Sequence, residues 1–85
     1  MKIDDLVTKY IRGAERVVNE IEPLPDEVHL NEQEVGTVFD WAKRYLEDAK
    51  YYQGKGNLET SLTSVAYCEG LLDALRLLGA VEFSW

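Results

Sequence analysis

The chain has 85 residues, a net charge of −7, 46% hydrophobic and 29% charged residues, and a single cysteine and histidine. That composition belongs to a folded chain rather than a disordered one, and the length fits one domain over residues 1–85 that buries only ~60–65% of its unfolded surface. An apolar run of membrane-spanning length is absent, no signal-peptide pattern opens the chain, and the acidity disfavours nucleic acid, whose phosphates require a positive patch.

These features lead us to expect a cytoplasmic protein that is neither membrane-bound nor nucleic-acid-binding. Cys68 has no partner for an internal disulfide, and its place beside an apolar helix face reads as a small buried hydrophobe. With His29 as the one histidine, ordinary zinc frameworks within one chain are excluded, and no cofactor is expected.

Residues 3–22 carry the cleanest amphipathic pattern. Ile3, Leu6, Val7, Tyr10, Ile11, Ala14, Val17, Val18 and Ile21 recur at helical spacing, with charged residues opposite. This predicted first helix needs one buried side. Asp4 and Asp5 suit its positive N-terminal end. Pro23 and Pro25 stop it.

The connection Glu22–Asn31 is the longest. Leu24, Val28 and Leu30 are expected to tuck into the end of a bundle, and Pro25-Asp26-Glu27 reads as the start of one helical turn. His29 lies in this loop without a nucleophile or orienting carboxylate at a recognisable spacing, so it reads as a loop histidine rather than a general base.

Asn31 and Glu34 have the spacing of a capping box, with Asn in the usual Ser/Thr position. The second helix is predicted over residues 32–55, with Val35, Val38, Phe39, Ala42, Leu46 and Ala49 as its apolar face. Trp41, Tyr45 and Tyr52 run along one edge of that face, with Asp48 among them. Such rings either span core and rim or anchor a partner. Tyr51 points away and is expected to be exposed. Lys43, Arg44 and Lys50 form a local basic cluster, but the interleaved Asp40 and Glu47 read as intrahelical pairing.

A short turn through Gly56 makes the second and third helices antiparallel neighbours. Asn57 is the expected N-cap and Gly79 the left-handed stop of a third helix over residues 58–78. That helix is apolar nearly all round. Leu58, Leu62, Val65 and Leu72 make one face; Leu71, Leu75 and Leu78, beside Cys68, make another. It is therefore expected to lie between two other helices. Ala66, Gly70 and Ala74 form a small-residue row, and a mid-helix Gly costs ~1 kcal/mol relative to Ala, which close approach of a neighbouring backbone offsets. Glu69, Asp73 and Arg76 form a polar strip in which Asp73 and Arg76 are spaced to pair. In the tail, Val81, Phe83 and Trp85 alternate with small or polar residues. Either the tail folds back or its rings join a partner chain.

From Asp48 onward the chain resembles the archaeal domain-of-unknown-function family 357. The resemblance is carried by the pair Tyr51-Tyr52, the glycine turn, and Ala66, Tyr67, Glu69, Gly70, Leu72 and Asp73. It covers the C-terminal half well and the first helix by pattern only. It implies an all-α, three-helix up-and-down bundle with a short C-terminal tail and an archaeal cytoplasmic setting, and it brings no activity. The hairpin also resembles one tetratricopeptide unit, but such arrays need several copies, and the chain contains no second.

Two function classes follow. The preferred one is a non-catalytic interaction module that docks on a protein partner or self-associates, through Trp41, Tyr45, Tyr52, Phe83 and Trp85. The alternative is ligand binding or catalysis at Glu69 and Asp73, with Tyr67 or Asp48 nearby, in a pocket built between two chains. A metal site there would want a Glu-x-x-His from a partner helix, which this sequence lacks.

Overall fold

A computed structural model describes residues 2–23 and 27–85. The chain is all-α: α1 spans Ile3–Glu20, α2 Glu32–Gly54 and α3 Leu58–Leu77, and the described residues contain no strand. The elements and their order follow the periodicity, with each end within two residues of expectation.

The helix stops and starts are chemical. Asn31 Oδ1 accepts from the Glu34 amide at 2.8 Å while Glu34 Oε2 accepts from the Asn31 amide at 3.2 Å, the reciprocal capping box its spacing predicts. α2 and α3 both end in Schellman motifs. In the first, the Asn57 amide donates to the Tyr52 carbonyl and Gly56, at φ 77°, donates to Gln53. In the second, Ala80 donates to Leu75 and Gly79, at φ 76°, donates to Arg76. Asn57 also caps α3, its Oδ1 accepting from the Thr60 amide. One residue therefore closes α2 and opens α3, which holds the turn tight and makes the pair an antiparallel hairpin.

The hairpin is held by small residues. Ala42, Ala49, Cys68 and Leu75 are the buried core, and Leu75 is only 2% exposed. Ser61 Oγ donates to the Ala49 carbonyl at 2.7 Å, an approach that only a short side chain permits. Seven residues back along α2 is Ala42, and seven forward along α3 is Cys68, so small faces small twice. Val35, Val38, Tyr45 and Tyr52 complete the α2 seam at alternating steps of three and four, as in a coiled coil. The α2 seam is thus rotated toward the aromatic edge. Tyr45 and Tyr52 are half-buried, whereas Phe39 and Leu46 lie outside the contact and are exposed.

Burial departs from expectation elsewhere. α3 is covered by α2 along one side and is not walled in between two helices: Leu58, Leu62 and Leu78 are exposed, and Val65, Leu71 and Leu72 are half-buried. The row Ala66, Gly70 and Ala74 faces outward, and a Cβ added to Gly70 would meet nothing within 4 Å, so close packing does not explain that glycine. Val28 and Leu30 are exposed rather than tucked under the bundle. Glu27 is not helical; Leu24, Pro25 and Asp26 lie outside the described residues.

α1 is the largest departure. It has no buried residue, and none of its Cα atoms lies within 8 Å of α2 or α3. The radius of gyration is 15.5 Å, whereas a compact chain of this length has about 12 Å.

Candidate functional site

The apolar stripe of α1 is an extensive unpartnered surface. An 18-residue helix is about 27 Å long, and α1 carries apolar residues along all of it. Ile3, Val7, Tyr10, Ile11, Val17, Val18 and Ile21 are all exposed, Val18 to 72%. Its N-terminal half faces α3 across an open cleft of about 550 Å³, lined by Ile3, Leu6, Val7, Tyr10 and Ile11 on one wall and Thr63 and Tyr67 on the other. Its C-terminal half forms no part of that cleft.

Beside the cleft the hairpin carries an aromatic patch. Tyr45 and Tyr67 stack across α2 and α3 with ring centroids 4.7 Å apart, and Trp41 lies 6.3 Å from Tyr45. With Val38 and Leu71 these rings border a second, smaller hollow of about 290 Å³. Tyr67 belongs to both hollows, so apolar surface runs from α1 across α3 to α2. The Arg44 guanidinium lies 4.8 Å from the centre of the Trp41 ring, a cation–π contact that keeps the indole at the surface.

The other aromatic residues lie elsewhere. Tyr52 meets Tyr51 edge-on at 5.2 Å near the hairpin turn, and Tyr51 is exposed as its position implies. Phe83 and Trp85 pack edge-to-face at 5.1 Å on a tail that folds back on its own α3. There Trp85 Nε1 donates to Asp73 Oδ1 at 3.0 Å, Arg76 binds the same oxygen at 3.3 Å, and the Arg76 guanidinium lies 5.8 Å from the Phe83 ring centre. Trp41, Tyr45, Tyr52, Phe83 and Trp85 thus form three separate groups.

Of the polar residues, Asp73 is engaged by the tail. The Trp85 hydrogen bond holds the Asp73 carboxyl below its usual range; partial desolvation opposes this, and Arg76 adds to the lowering. Glu69 and Asp48 are exposed, and no hydrogen bond joins Glu69 to a tyrosine. Tyr67 is six residues from Asp73, about 120° around the helix, on the side facing Tyr45. Among the described residues no three His, Cys, Asp or Glu side chains come together as a metal site. His29 lies in the exposed connection with Nε2 3.7 Å from Glu27. The two lysines of α2 are paired as their spacing predicts, Lys43 with Asp40 and Lys50 with Glu47, both at 3.3 Å.

Burial, and secondarily the neighbouring Glu69 charge, push the Cys68 thiol above its ordinary pKa, which makes it a weak nucleophile at neutral pH. No described helix is long and apolar enough to cross a membrane.

Residue type points to the aromatic side chains and to Asp48, Glu69 and Asp73, and not to Ile3, Val7, Ile11 and Val18. Their signal was the regularity of the α1 stripe itself. A stripe so complete demands a partner, and nothing in local sequence says whether that partner lies in the same chain.

Among known proteins, the family model for DUF357, a protein family of unknown function, matches residues 9–81. No curated protein and no solved structure matches the chain.

Proposed function

The chain belongs to the DUF357 family, whose function is unknown, and from its geometry we propose that it is a docking module without catalytic machinery. One observation carries this reading: a full-length amphipathic helix, α1, presents its apolar stripe to solvent beside an aromatic patch. Contiguous apolar surface on that scale marks an interaction site in soluble proteins. Tyr67, which lines the cleft, and Trp41, at the adjoining smaller hollow, are the anchoring residues, being large, partly exposed and held by stacking and cation–π contacts. Phe83 and Trp85 serve instead to fasten the tail to α3.

A cytoplasmic location belongs to the same proposal. It is supported by the single cysteine, buried and without a disulfide partner in its own chain, and cell fractionation tests it. The alternative site at Glu69 and Asp73 is less favoured because Trp85 and Arg76 already occupy Asp73.

The test is the size of the tagged protein in a gently prepared native extract. It is expected to migrate well above its 9.7 kDa chain mass, and Val7→Asp with Val18→Asp should return it to that mass. A wild-type chain at single-chain mass in the extract would refute docking.

A further inference from the structure

We propose that the partner of α1 is a second copy of this chain, bound through antiparallel pairing of the two α1 helices about a two-fold axis. This rests on the docking reading above and names its occupant.

The area argument comes first. A compact monomer of this mass exposes about 5,100 Å², whereas this chain exposes 7499 Å². The excess of about 2,400 Å² is roughly three times the ~800 Å² that each partner contributes to a standard interface, and lies in the range of obligate dimers. The α1 stripe, with seven exposed large apolar residues from Ile3 to Ile21, contributes to that excess.

Charge selects the face. The stretch from Lys2 to Glu20 carries four basic and four acidic residues, so the entire net charge of −7 lies from residue 21 onward. Three of those negative charges, at Glu22, Asp26 and Glu27, lie in the connection, and the hairpin with its tail carries −4, so pairing hairpin with hairpin would bring two acidic bodies together. Pairing through α1 brings together two neutral helices and leaves the acidic hairpins apart.

Shape selects the direction. The N-terminal half of α1 borders the cleft with Thr63 and Tyr67, and the C-terminal half does not. In an antiparallel pair, Val17 and Val18 of each copy fill the other's cleft, as a two-fold interface requires. Ile11, near the middle of the stripe, then faces its own equivalent.

The test is sedimentation equilibrium on the purified full chain and on Ile11→Asp, Ile11→Lys and their equimolar mixture, with helicity checked by circular dichroism. The wild type is expected at twice the 9.7 kDa chain mass, each variant alone at single mass with its helices intact, and the mixture back at double mass as Asp meets Lys across the axis. A wild type that stays at single mass at every concentration overturns the second copy. If the native extract still shows a larger species, docking survives with a different partner; if it does not, both readings fall. Variants that remain double would place the interface away from α1. A mixture of helical variants that stays at single mass would overturn the two-fold pairing at Ile11.

Discussion

Asp73 shows how one residue ties the tail to the hairpin. Its carboxyl is held below its ordinary pKa by Trp85 first, with Arg76 helping against partial desolvation. A depressed folded pKa gives a stabilisation fully present above the unfolded value, ~3.9, and lost as pH falls through the lower folded value. The Trp85 indole NH resonance is therefore expected to stay fixed from pH 8 to about 5 and to move only in stronger acid, whereas Asp73→Ala should give the released position at every pH. A resonance that titrates near neutrality would contradict this assignment.

Gly70 makes the opposite case. Nothing lies where its Cβ would be, so Gly70→Ala should raise stability by about 0.5–1 kcal/mol through helix propensity alone, read from urea unfolding. The sequence misleads here because a glycine among small residues looks the same whether a neighbour presses on it or solvent does. Capping residues mislead less. Asn31, Glu34, Asn57 and Gly79 act on backbone groups within a turn of themselves, so their roles are fully written in local spacing.

Among the elements, the α2–α3 hairpin is the part that packs. Its seam depends on Ala42 and Ala49 being small where α3 presents Cys68 and Ser61. Ala42→Leu is expected to cost about 1–3 kcal/mol by overpacking, while Ala66→Leu on the outer side of α3 should be close to neutral. Equal costs would mean that α3 is buried on both sides. The hairpin was legible from its short glycine turn and apolar repeats. The rotation of the seam toward Tyr45 and Tyr52 was not, because apolarity alone ranks Phe39 and Leu46 above them. The close approach set by alanine, serine and cysteine decides the geometry instead.

At the scale of the whole molecule, surface rather than core is the distinctive property. Of the three helices among the described residues, two build the interior, which leaves α1 as a long apolar stripe on a neutral segment joined to an acidic hairpin. The order of elements could be read from periodicity. Whether α1 closes on its own hairpin or on another molecule could not, since both answers demand the same amphipathic pattern. Two consequences follow for solution behaviour. Because each copy carries a net charge of −7, raising the salt concentration should screen the repulsion between copies and strengthen self-association, which sedimentation at several ionic strengths would show. The monomeric Ile11→Asp chain should scatter X-rays with a radius of gyration near 15.5 Å, not the ~12 Å of a closed bundle.

Amide hydrogen exchange, resolved by residue and compared between the wild type and Ile11→Asp, tests the pairing of α1 most directly. The amides of α1 should be protected in the wild type and lose that protection in the variant, while those around Ala42, Ala49, Cys68 and Leu75 exchange alike in both. Protection of α1 that is equally strong in a single-mass variant would mean that the helix is covered by its own chain, and would contradict the account.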